Sequence, residues 1–180
     1  MFGFTEFYVI CTRTNIHRMI TEQTIDQVLE RMENQSLDLE KMALDFAERQ
    51  PALYAMLTLD NEGALTDDES DFAVYLALVI HEAVRHQGSL PPMVPGEEIA
   101  AAEDANWQML DGTDAGKPFE DRLDAFFDDY PEEDLLAFVE DALSAEVDDE
   151  DGTPMNLTEE GLEPMFVMLK TTIDVLTRPR

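Results

Sequence analysis

The side chains with the widest chemical reach stand together at His81, Glu82 and His86. A zinc-peptidase helix needs two histidines at i and i+4 on one face, with the glutamate between them as base. Here the histidines are five apart, about 140° around a helix of 3.6 residues per turn, and Arg85 holds the position the second one would need. That motif is absent. Glu82 and His86 do share a face at i, i+4. They have the donors to hold a metal with loop carboxylates, and they suit a surface hydrogen bond near a helix end equally well. Cys11 has no neighbouring base to activate it, and His17 stands alone. Neither a glycine-rich phosphate loop nor a Gly-x-Ser-x-Gly elbow occurs. General acid–base catalysis needs one carboxyl held in a pocket with a raised pKa, and nothing in the spacing singles out one of 41 acidic residues. These residues point away from an enzyme and away from a bound cofactor.

Carboxylates spaced along a turn are hard oxygen ligands for a divalent cation. With Gly63 taken as the sixth position of a twelve-residue loop, Asp60 falls third, Glu62 fifth and Glu69 twelfth, where a bidentate glutamate belongs. From the third position onward the segment resembles an EF-hand loop. It departs at the first position, where Thr58 stands in place of the usual aspartate. The resemblance implies calcium, or another divalent cation, on Asp60, Glu62 and Glu69. A second acidic turn, Asp148 to Gly152, fits less well, because its twelfth residue is Thr158. The alternative for both turns is plain: an acidic turn followed by a capped helix.

The balance of charge narrows the partners. The 180 residues hold 41 Asp+Glu against 11 Lys+Arg, a formal net charge of −30. Direct binding to nucleic acid or to an anionic membrane needs basic surface that this chain lacks. A 44% share of apolar residues is too high for a disordered acidic tail. Between Glu120 and Asp151 fifteen acids face one base, Arg122. That run supplies the candidate interaction face: Asp128, Asp129, Glu132, Glu133, Asp134, Asp148 and Asp149. A face of this sign suits a basic protein. The leading expectation is therefore a non-enzymatic protein-interaction module. The other readings are a divalent-cation (calcium) binding protein, a mimic of nucleic acid in which carboxylates stand for phosphates, and an enzyme with an unrecognised carboxylate site. Adaptation to a saline host would give the same composition.

The elements that must position these residues are helical. Apolar residues recur at i, i+3, i+4 and i+7 in Ile25-Val28-Leu29-Met32 and again through Leu39, Met42, Ala43 and Phe46. Pro51 opens a short helix. Thr66 with Glu69 is a capping box, and the segment it opens is apolar nearly all round from Phe72 to Val84, which predicts a central, buried helix. After the loop holding Pro91, Pro92 and Pro95, helices are expected at 97–110, around Phe126, from Pro131 and after Thr158. The fold expected is all-α: a compact bundle of about seven helices in one domain, 21–180, behind an extended or strand-like arm, 1–20. Its halves, about 21–90 and 117–180, echo each other. Each runs from a proline-initiated helix through an acidic turn to a Leu-Thr pair (Leu65-Thr66, Leu157-Thr158) and an apolar helix. A duplication would produce this, and so would two ordinary capped helices. No stretch is long and apolar enough for a membrane span, and a single cysteine excludes an internal disulfide. A cytoplasmic monomer or homodimer is expected.

Overall fold

Helix starts and stops follow local chemistry. A computed structural model describes residues 19–58, 63–88, 92–144 and 157–178. Among these it has eight helices, one more than expected, and no strand. Helix α1 is Glu22–Glu33 and ends where Gln35 takes a left-handed conformation (φ 59°). Asp38 caps α2, Leu39–Arg49, by accepting from the Lys41 N–H at 3.3 Å. Helix α3, Pro51–Thr58, starts on the proline, where the missing N–H costs nothing. Helix α4, Asp67–His86, has the full capping box at Thr66 and Glu69, and stops at Gly88, whose φ of 96° is open to glycine at little cost. Helix α5 is Gly96–Asp111, α6 is Phe119–Phe127, α7 is Glu133–Ser144 and α8 is Glu159–Thr177. Thr158 caps α8, its hydroxyl accepting from the Gly161 N–H at 3.0 Å. The arm, except Met19 and Ile20, lies outside the described residues, as do Asp60, Glu62, Asp148 and Asp149.

The core forms around α4 and α8, which pack against each other. From Leu76 to Val84, and from Met165 to Ile173, every residue is buried. This is the result expected of a helix without a polar face. Phe166 of α8 anchors the second half. It meets Phe126 edge-on at 4.9 Å and Phe119 at 6.0 Å between ring centroids, the geometry aromatic quadrupoles favour.

The remaining helices arrange themselves around that pair by an exchange. Helix α1 lies on α4 and α5 on α8, while α3 lies on α4 and α7 on α8. Across the molecule, α1 touches α7 and α5 touches α3. Two buried side chains fasten these crossings. Glu132, just ahead of α7, accepts from the Ile20 N–H at 2.9 Å. Gln50, just ahead of α3, accepts from the Val94 N–H at 2.9 Å and donates to the Pro92 carbonyl at 2.9 Å. A buried polar group without such partners would cost several kcal/mol at the extreme, about 1–3 by mutational measures.

Candidate functional site

The most concentrated chemistry in the molecule is the junction where α4 and α8 begin. Glu69 is the third residue of α4, so its carboxylate reaches back to the capping threonine. Its Oε2 accepts from the Thr66 N–H at 2.8 Å and from the Thr66 hydroxyl at 3.0 Å. Its Oε1 accepts from the Thr158 N–H at 2.7 Å and from the Thr158 hydroxyl at 2.8 Å. One carboxylate therefore closes two capping boxes. In α8 the residue that would carry its own box glutamate is Gly161, and a Cβ there would stand 2.7 Å from the Glu69 Cδ. Glu69 is only 1% exposed. Burial opposes its charge, but the four hydrogen bonds from the two threonines outweigh it and hold the pKa below the usual glutamate value. Two helix N-termini, each with positive dipole character, meet on this one anion.

This placement bears on the calcium reading. Both Glu69 oxygens are occupied by intramolecular donors, and its proposed co-ligands Asp60 and Glu62 lie outside the described residues. Among the described residues, no group of three or more His, Cys, Asp and Glu is arranged to hold a metal ion. The other candidate pair separates: His86 is exposed, whereas Glu82 is buried and paired with Arg85 at 3.2 Å and Arg31 at 3.8 Å. Glu82 is thus an interior anion tying α1 to α4, not the surface hydrogen-bond partner its spacing suggests.

The acidic face divides in the same way. Asp128 and Asp129 are exposed on the α6–α7 turn and Glu133 at the start of α7, with Asp129 in a left-handed conformation (φ 56°). Asp134 is exposed and accepts from the Glu22 N–H at 2.9 Å. Glu132, expected on the face, is buried at 1% exposure against the backbone leading into α1. Four acids outside the expected set stand near one another on the same helix pair. Glu140 and Asp141 on α7 stand within the field of Asp124 and Glu120 on α6, and burial followed by these like charges pushes the Glu140 carboxyl above its ordinary value. The single base of the pair, Arg122, points inward. Its guanidinium donates to the Thr113 hydroxyl at 2.9 Å and to the Leu110 carbonyl at 3.4 Å, and pairs with Glu163.

A further network lies in the interior, on residues with no recognisable motif spacing. The Lys170 ammonium lies 2.7 Å from Asp174 and 4.1 Å above the Tyr130 ring. Tyr130 donates to Asp174 at 2.8 Å, and the Asn106 side-chain amide donates to Asp174 at 3.0 Å and to the Thr171 hydroxyl at 3.1 Å. Burial pushes the lysine down, opposed by Asp174, and pushes the tyrosine up. A lysine with an aspartate at i+4 inside an otherwise apolar helix is the sequence signal. Every group in the network has its partner, so its chemistry is that of a tie between α5, the α6–α7 turn and α8. His81 completes the inventory. It packs on Phe46 at 4.9 Å between ring centroids, its Nε2 is buried with no hydrogen-bond partner among the described residues, and burial lowers its pKa to about 4.

No described helix is long and apolar enough to cross a membrane. No family model matches the chain, and no curated protein or solved structure matches it either.

Proposed function

We propose that this chain is a non-enzymatic helical module that binds a basic protein partner through the α6–α7 pair. One observation carries the reading. From 119 to 144 the pair holds ten acids and one base, and that base is turned into the interior. Glu120, Asp121, Asp124, Asp128, Asp129, Glu133 and Asp141 are exposed. Glu120, Asp121 and Glu133 lie in first helical turns, where the dipole favours an acid, but Asp124, Asp128, Asp129 and Asp141 do not. The α2–α3 pair, whose α3 lies on α4 as α7 lies on α8, carries Glu40, Asp45 and Glu48 set against Lys41 and Arg49. Crowding like charges on one surface opposes folding, and a cationic partner relieves that repulsion while steering its own approach.

The test is capture of basic proteins from a lysate at low and high salt, comparing two variants of equal charge change. Reversal on the proposed face, Glu120→Lys/Asp124→Lys/Asp141→Lys, abolishes salt-sensitive capture. Reversal on the other half, Glu33→Lys/Glu40→Lys/Glu48→Lys, retains it. Equal loss in both variants would show that net charge alone attracts the captured proteins, and capture of nothing at either salt would end the reading.

A further inference from the structure

The exchange of helices across the α4–α8 pair is matched residue by residue in the hydrogen bonds that fasten it. Helices α1 and α5 begin at Glu22 and Gly96. Two residues ahead of each stands a buried aliphatic residue, Ile20 or Val94, whose N–H donates to a side chain of the opposite half at 2.9 Å. The acceptors, Glu132 and Gln50, are both fully buried or nearly so, at 1% and 0% exposure. Each also supplies the carbonyl for the first turn of its helix, to Leu136 N at 3.1 Å and to Tyr54 N at 2.9 Å. Exposed methionines, Met19 and Met93, precede the two aliphatic residues. At the centre, Thr66 and Thr158 each cap an apolar helix and each follow a leucine, 92 residues apart. The third helical residues, Glu69 and Gly161, keep that same separation.

Ordinary capped helices would share the threonines. They would not share the crossed contacts of α1 with α7 and α5 with α3, nor the same donor–acceptor pair at each crossing. We infer that the chain is two related four-helix units, α1–α4 and α5–α8, that meet about an approximate twofold between Thr66 and Thr158, and that Glu69 is the one carboxylate both units share there. The two units differ at the axis because only one glutamate fits. Its side chain fills the space beside the backbone of residue 161, and a second would force two buried carboxylates together.

This arrangement has a consequence that neither packing nor capping alone would give: the shared carboxylate can be supplied from either unit. The experiment is thermal unfolding of the full chain as wild type, Glu69→Gly, Gly161→Glu and the double variant Glu69→Gly/Gly161→Glu. The first single variant leaves four part-buried donors without their acceptor and the second doubles the charge, so each melts lower by about 5 °C or more. The double variant restores one carboxylate from the opposite side and melts above the better of the two singles. Melting at or below the better single overturns the inference. If none of the three variants folds, Glu132→Gln and Glu132→Ala decide in their place. The equivalent position already uses a glutamine, Gln50, so Glu132→Gln stays closer to wild type than Glu132→Ala. A glutamine variant as impaired as the alanine variant overturns the equivalence.

Discussion

At the scale of single residues, acidity in this protein is two different things. Glu69, Glu82, Glu132 and Asp174 are interior or near-interior acceptors for named donors, while Asp128, Asp129 and Glu133 face solvent. Protonation separates two buried groups by pH. His81 has a folded pKa near 4 against an ordinary value of 6.5, so between those values the unfolded chain takes up a proton that the folded chain refuses. Stability therefore falls as pH drops from 6.5 and the loss is complete below about 4, reaching on the order of 3 kcal/mol for such a shift. Arg85 and Arg49 add to the depression and Asp45 opposes it. Replacing the histidine by leucine, His81→Leu, flattens this part of the pH profile in urea unfolding; an unchanged slope would show that His81 is not the titrating group. Glu69 acts lower. Its folded pKa lies below the ordinary 4.5, so its contribution is present above that value and is lost as pH falls through the folded one. The capping box of Thr66 and Glu69 was legible from spacing alone. That the same carboxylate also serves Thr158 was not, because the second oxygen's partners are 89 residues away and come near only through tertiary packing.

At the scale of helices, the apolar period, Pro51 and the threonine caps at 66 and 158 identified the elements, while α7 starts at Glu133, two residues beyond the expected Pro131. The all-round apolar character of α4 foretold its central place. What periodicity could not reveal is how one helix is finished by another. Thr21 stands at the N-cap of α1 but its side chain makes no capping bond. The N–H groups of Ile20 and Glu22 instead take Glu132 and Asp134, each 112 residues distant. Acids read as a single surface run are, at these two positions, tertiary caps for a helix in the other half. The expected effect is local. Asp134→Ala speeds amide hydrogen exchange at Glu22 and lowers stability by about 0.5–1 kcal/mol, the scale of a lost exposed cap, while amides in the middle of α8 keep their protection. Faster exchange throughout α7, with Glu22 unaffected, would mean that Asp134 serves its own helix instead.

At the scale of the whole molecule, the net charge of −30 is the sum of two populations with opposite effects on folding. Carboxylates sealed into the junctions support the fold, because each answers donors that would otherwise lose their partner inside a packed junction. Carboxylates on the α6–α7 surface oppose it by mutual repulsion, and in the proposed reading a basic partner would relieve that repulsion. The composition revealed the total and the location of its densest stretch. The division became visible only with the packing, since a glutamate such as Glu132 and its exposed neighbour Glu133 are indistinguishable in a sequence. The most direct measurement is the melting temperature at low salt of two neutralised variants, Glu69→Gln and Asp128→Asn/Asp129→Asn/Glu133→Gln. The first melts lower than wild type at any salt, since an amide brings N–H donors to a seat lined by donors. The triple variant melts at or above wild type, and added salt erases its gain. A triple variant that melts as far below wild type as Glu69→Gln would contradict the division of the charge into interior supports and a self-repelling surface.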